Sequence, residues 1–302
     1  MKELPEISGR TDALPLPETK VPNLERELFE PRALKNATLT GLTWFAALLA
    51  SVPLLSVIYM LIVEGGARLD WEALTATPPT AFEMGGGFGN AIVGTLVMVG
   101  IASLISVPVG IFAAIYLAIL GPGSKLASTS RFLAKTLTGF PSILAGVFTY
   151  AVLVISFGYS ALAGGVALAV LMLPTILLAA EEAMAQVPQR MKDAAYGMGC
   201  TQTQVIFKVV LPTGLPGIMT GVLLAIAGAA GESAPLLFTA LFSSYYLSEV
   251  FEPTASLSIL IYNFSAMPFD NQIQLAWAAS LTLVVMVLLI NILARLLGQP
   301  KV

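Results

Sequence analysis

Histidine is absent from this chain, cysteine occurs once, and charge is scarce. Asp, Glu, Lys and Arg make up 11% of the 302 residues, against about 25% in soluble domains. Each shortage excludes something. Without His there is no imidazole base and no His metal ligand. The lone Cys200 has no intrachain partner, so no disulfide staples the fold. No G-x-x-x-x-G-K-[ST] phosphate loop occurs; GPGSK at 121–125 lacks the Gly-Lys-Ser/Thr ending. If ATP powers this protein, another chain binds it. The opening residues are too long and too acidic for a signal-peptide n-region.

What fills the chain instead is apolar residue, 57% of the whole. Long charge-free runs place six membrane spans, since a spanning helix needs about 20 such residues. They lie near 38–62, 90–119, 137–157, 163–182, 214–238 and 275–297. The run from Thr136 to Ala180 holds 45 uncharged residues. As one helix it would exceed twice the roughly 30 Å apolar core, so it folds back at FGYSALAGG (157–165). The first 35 residues hold six Lys/Arg, seven Asp/Glu and Pro5, Pro15, Pro17, Pro22 and Pro31. Such a tail cannot bury enough apolar surface to order itself. The domain expectation is a disordered cytoplasmic tail (1–37), a peripheral first span (38–62) and a permease core over 76–297.

Positive charge sets the orientation. With both termini cytoplasmic, 14 of the 15 Lys and Arg face inward, leaving Arg68 outside. The two long outer loops, 64–89 and 239–274, carry six net negative charges between them. That acidic face either contacts a partner or is merely solvated. SLSILIYNF within the second loop reads as an interfacial amphipathic piece.

The polar stretch DAAYGMGCTQTQVIFKVVLP (193–212) sits between spans four and five, on the cytoplasmic side. Thr201 and Gln204 have capping-box spacing, Gly197 and Gly199 favour a turn, and Pro212 stops the second piece. The expectation is short helix, turn, short helix, with Met191, Ala194, Ala195 and Met198 sharing one face. The two alanines make that face flat enough for another protein, or for the chain's own bundle. Cys200 reads as a small turn filler. Glu181 and Glu182 end span four, either in solvent, the favoured reading, or against a basic partner.

Away from the span ends, where Glu181, Glu182 and Arg295 lie, Glu232 is the only acid or base inside a predicted span. A central carboxylate costs roughly 3 kcal/mol on insertion scales. Three readings offset that: pairing with an Arg of a neighbouring subunit as a gate or strut, a protonated structural role near Ser233, or placement in water at the outer mouth. Pro141–Ser142 reads as a helix start whose free amides could face an anion.

Asp-Ala-Ala, three residues, Gly199, nine residues, Val209, one residue, Leu211-Pro212: this order resembles the EAA loop of binding-protein-dependent ABC-importer permeases, with Asp193 in place of Glu. The resemblance implies an all-α, six-span MetI-like membrane fold. It implies that Asp193, Ala194, Ala195, Gly199, Val209, Leu211 and Pro212 dock a separate ATPase subunit through a coupling loop (183–213). Further stretches resemble the phosphate-specific PstA branch: GGGFGNAIVGTLVM (85–98), VPVGIFAAIYLA (107–118), GFPSILAGVFTYAVLV (139–154), GIMTGVLLAI (217–226), GESAPLLFTALF (231–242), AMPFDNQIQLAWAASL (266–281) and LLINILARLL (288–297). That branch implies a phosphate permease that is not itself an enzyme and carries no cofactor. Its partners would be a PstC-like sister permease, two PstB-like ATPase subunits and a PstS-like outer phosphate-binding protein. Glu232, Ser233 and Ser142 would then line or gate the path. Members of the branch often carry Arg late in span four and ahead of G-E-[ST]-A-P in span five. Leu178 and Gly228 stand there here, which keeps another oxyanion open. A proton-coupled carrier using Glu232 alone would not need the coupling loop, and a scaffold or sensor would not need the path-lining acid.

Overall fold

The computed structural model describes residues 31–297, and among them every regular element is helical. The expected disordered tail lies largely outside the described residues. The chain divides into two compact units, one ending at Ser56 and one running from Val57. Every helix after the first belongs to the second unit.

Helix α1 (Pro31–Ala67) carries no charge between Lys35 and Glu64, and Gly65 is its one buried residue. A short outer helix α2 (Trp71–Thr75) starts where the Asp70 side chain accepts the Ala73 N–H. Helix α3 (Gly89–Ile115) continues through a π turn, Tyr116–Leu120. Helix α4 (Lys125–Thr138) and helix α5 (Ser142–Thr149) follow, the latter extended by a π turn and a last turn α6 (Ile155–Phe157). Helix α7 (Ala161–Ala185) is the buried centre, packed against α3 on one side and α10 (Leu211–Gly231) on the other. Between them come α8 (Gln189–Gly197) and α9 (Gln202–Val205). Then α11 (Ala234–Leu237), α12 (Leu257–Ser265) and α13 (Asp270–Leu297) complete the chain.

Four of the six expected spans coincide with single helices: α1, α3, α7 and α13. The other two depart from expectation, and proline explains both. The third is broken: α4 and α5 meet at 107°. Pro141 bars helical geometry at Phe140 and would clash with the Leu137 carbonyl, so α4 stops at Thr138. The fifth ends earlier than 238. Pro235 would clash with the carbonyl four residues before it, that of Gly231, and α10 ends there. Glu232 therefore is not within a helix but is its C-cap, in extended geometry at φ −75° and ψ 123°.

The outer-loop piece expected at the interface is also corrected. It forms α12, whose Leu257, Ser258, Ile259, Leu260 and Phe264 are buried. The chain re-enters the bundle there. Leu257 N–H donates to Thr95 Oγ1 at 2.9 Å, six residues into α3. Ser258 Oγ donates to the Glu232 carbonyl at 2.9 Å. A Cβ on Gly94 would stand 2.0 Å from the Ala255 carbonyl, so that approach requires glycine.

Candidate functional site

The site has two parts, a loop at one end of the bundle and a cleft halfway along it. The loop begins past α7, where Pro188 sets the extended geometry that starts α8 (φ −56°, ψ 132°). Gln189 Nε2 donates to Asp193 Oδ1 one turn on at 2.9 Å. Helix α8 closes with a Schellman arrangement: Gly199 N–H donates to Tyr196 and Cys200 N–H to Ala195. Gly199 supplies the left-handed residue, at φ +81°. A Cβ there would meet nothing within 4 Å, so the demand on this glycine is conformational and not steric. The capping box then forms as the spacing predicts: Thr201 N–H donates to Gln204 Oε1 at 2.9 Å and Gln204 N–H to Thr201 Oγ1 at 3.4 Å.

Two expectations for this loop are corrected. Pro212 does not stop the second piece. A π turn, Ile206–Val210, widens the helix just before it, and the helix runs from Gln202 to Gly231 without a break. Widening moves the Lys208 carbonyl out of the way of the proline ring, and a proline in the first turn of α10 leaves no orphan N–H. Nor do Ala194 and Ala195 share one exposed face. Ala195 is 3% exposed and belongs to the bundle's own core with Met184, Val187, Val205, Ile206 and Val210. Asp193, Ala194, Gly199 and Pro212 are exposed, Val209 and Leu211 half-buried. The free apolar surface is Met191, Ala194 and Met198, joined by Phe207. Cys200 packs against the core as a filler.

From this loop, α10 climbs beside α7 at very short range. A Cβ on Gly221 would lie 2.3 Å from Ala179 Cβ, and one on Gly217 would lie 2.8 Å from Ala183 Cβ. Higher up the two helices part into a cleft of about 340 Å³ lined by Leu171, Met172, Thr175, Leu224, Gly228 and Glu232. Met172 is near the middle of α7, some 16 Å from its start at 1.5 Å per residue. Glu232 therefore faces open space at half depth. Beside it lies an apolar cleft of about 440 Å³ that shares Leu171 and is otherwise lined by Phe140, Leu144, Ala145, Phe148 and their neighbours. Ser142 opens α5 at the break between α4 and α5, and no side chain caps that start. The two interruptions are tied through α5 and α11: a Cβ on Gly146, four residues past Ser142, would lie 2.6 Å from Pro235 Cα, three residues past Glu232. Discontinuous helices near mid-depth are how many transporters present polar groups to a substrate. Ser142, Glu232 and Ser233 are each half-buried. Gly228 lines the Glu232 cleft, whereas Leu178 packs away from it with Leu117, Ala127 and Ala134.

Sequence reasoning missed one pair. Glu181 is not a solvated helix end; its Oε1 accepts from Arg131 Nε at 2.5 Å, across 50 residues of sequence. The one available signal was an Arg on the Ala127–Ala134 face of an otherwise amphipathic helix.

Residues 106–300 match the family model described as the inner membrane component of binding-protein-dependent transport systems. The phosphate transport system permease protein PstA of Pasteurella multocida is 38% identical over 274 residues, covering 90% of this chain and 98% of that protein. The chain belongs to this family of permeases. The PstA protein of Haemophilus influenzae is 36% identical, covering 89% of this chain and 96% of that protein. Among solved structures, an inward-facing form of the MetNI methionine ABC transporter aligns with a TM-score of 0.50 at 20% identity, covering 70% of this chain and 91% of that one. It shares the MetI-like fold of this multi-pass membrane permease.

Proposed function

We propose that this chain is the membrane permease subunit of an ATP-driven phosphate importer, forming half of the path and taking its motion from a separate ATPase. The observation that carries the reading is the continuity of Gln202–Gly231. One unbroken helix links an exposed, self-capped loop to a half-depth cleft holding a carboxylate. A helix rises about 1.5 Å per residue, and the π turn and prolines of this one lie near its loop end, leaving residues 217–231 free of either. Movement imposed on the loop therefore reaches Glu232 directly. The substrate class follows from the names of relatives at 36–38% identity.

In this reading Asp193, Ala194, Gly199, Val209, Leu211 and Pro212 form or brace the surface gripped by a PstB-like ATPase. Ala195 shapes that surface from within the core. Glu232 and Ser233 form the gate, with Ser142 on the path wall. A carboxylate repels an oxyanion, so Glu232 acts by pairing with a cation of a PstC-like sister permease. The path amides and hydroxyls do the solvating. A PstS-like protein delivers phosphate to the opposite end of the bundle. The arrangement of Lys and Arg supports cytoplasmic termini and a cytoplasmic loop, in the inner membrane of a bacterium. Residues 76–297 act as the permease core. An importer of another oxyanion is the second reading, favoured by Gly228, which leaves the Glu232 cleft without a cation among the described residues.

The test is ATP hydrolysis by the assembled complex with its binding protein, challenged with phosphate, sulfate, molybdate and arsenate. Stimulation by phosphate above the others is expected. Equal or greater stimulation by sulfate or molybdate would overturn the substrate. Hydrolysis indifferent to every oxyanion would overturn the importer reading.

A further inference from the structure

Arg131 joins three segments: the end of α7, the π turn at Tyr116–Leu120 and the turn at Pro122. Its Nε donates to Glu181 at the end of α7 at 2.5 Å. One terminal nitrogen donates to the Leu117 carbonyl at 2.7 Å and the other to the Pro122 carbonyl at 2.9 Å. The pair is largely sheltered, the side chains of Arg131 and Glu181 being 28% and 15% exposed.

The acceptors are there for a structural reason. The π turn at Tyr116–Leu120 sends the Gly121 N–H to the Tyr116 carbonyl. Leu117 thereby loses its usual partner four residues on. The next candidate, Pro122, has no N–H. The Leu117 carbonyl is thus left at a helix C-terminus, where partial negative charge collects and a cation is favoured. Only a fork-shaped cation satisfies two such carbonyls and a carboxylate together; an ammonium is a poor substitute.

The position of this clamp matters more than its strength. Glu181 lies eight residues before Gln189, where α8 begins. Arg131 lies in the middle of α4, which turns through 107° into α5 and so leads to the helix start at Ser142. We propose that Arg131 and Glu181 form a second transmission strut, carrying displacement of the coupling loop to α4 and α5, which line the apolar cleft beside that of Glu232. The continuous Gln202–Gly231 helix moves Glu232; the clamp moves Ser142 with it. Both are positioning residues, since neither touches the path. The proposal rests on the permease reading.

The test compares wild type with Glu181→Gln and Arg131→Lys in the assembled complex, reconstituted in vesicles. The readout is phosphate imported per ATP hydrolysed. We expect a fall of at least fivefold in that ratio, with hydrolysis and co-purification of the ATPase retained. A ratio within twofold of wild type, or loss of assembly with the ratio unchanged in what remains, would overturn the strut. A merely stabilising contact would change yield and not the ratio. If the wild type ignores phosphate, the substrate reading fails on its own. The strut is then judged by cysteine cross-linking between Ala134→Cys on α4 and Leu178→Cys on α7, which pack in one cluster, in a Cys200→Ser background. Nucleotide should leave that cross-link unchanged in wild type and alter it in Glu181→Gln. Equal behaviour would again overturn it.

Discussion

The two ends of this bundle are built on opposite plans. At the coupling-loop end, the hydrogen bonds that shape residues 186–205 are local, spanning three to five residues, and an apolar face is left uncovered. At the other end, distant segments tie one another down. Ser160, Ala161 and Leu162 at the start of α7 donate their N–H groups to Thr239, Glu252 and Val250. Asn271 Nδ2 donates to the Glu83 and Gly85 carbonyls, and the Tyr246 hydroxyl to the Thr75 carbonyl. Asp70 caps α2, and Glu72 accepts from Gly86. The acidic residues of this end are thus partly spent on holding it together. A locally built element can move as a body without losing its own bonds. A cross-tied one can move only by breaking them. On the permease reading, the loop end is the one that can shift as a body, and the opposite end the one that stays sealed.

The sharpest way to break the comparison sets two adjacent alanines against each other. Ala195→Arg places a charge in the core, which costs several kcal/mol. The variant should be lost from the membrane fraction or run as aggregate in size-exclusion chromatography. Ala194→Arg changes an exposed surface. It should insert and purify normally yet fail to retain the ATPase. If both behaved alike, the division of this helix into an inner and an outer face would be wrong.

Next in size is the re-entrant contact at the sealed end. Gly94→Ala drives a methyl into the Ala255 carbonyl, and overpacking of that kind costs about 1–3 kcal/mol. A lower thermal midpoint is expected, with the ATPase still bound, because the loop end is built independently. Third is Glu232→Gln. It removes the half-depth charge without changing shape and leaves the sister subunit's cation unpaired, so the midpoint of the assembled complex should fall and phosphate uptake should drop about tenfold. Normal uptake by this variant would remove Glu232 from the gate.

Much of this was legible in the chain. Charge-free runs locate the helices because the bilayer core rejects ions. The Thr201–Gln204 cap was readable because both partners lie within one turn. The start at Pro141–Ser142 was read from its proline and is where α5 begins, whereas the break at Pro235 was hidden, because hydropathy averages over a proline. The Arg131–Glu181 pair was not legible. Its partners are 50 residues apart, and the vacancy it fills arises from a π turn that no periodicity announces. Ala195 was assigned to the wrong side for a related reason: a face shared by four residues on a nine-residue helix leaves its rotation undetermined until the core is known.

The smallest expected effect distinguishes the two ends by their caps. At the coupling loop the side chain that reaches back is an amide, Gln204, which does not titrate. At the sealed end the equivalent is a carboxylate. Glu83 Oε2 accepts the Thr80 N–H at 2.7 Å, closing a turn in which Phe82 is held at φ +68°. The Thr80 amide, and then the Thr80 hydroxyl, hold the Glu83 carboxyl below its ordinary value of 4.5. A group lowered in the folded state stabilises it fully above the unfolded value and loses that contribution as pH falls through the folded one. Acid should therefore loosen the turn at 80–83 progressively as the pH falls below 4.5 and leave the Thr201–Gln204 cap untouched. Amide hydrogen exchange, corrected for its intrinsic pH dependence, reads both in one experiment. Protection at Thr80 should fall with acid in the wild type and stay flat in Glu83→Gln, while protection at Gln204 stays flat in both. Parallel loss at the two sites would mean that acid acts on the whole bundle, and that the two ends are not as independent as their bonding implies.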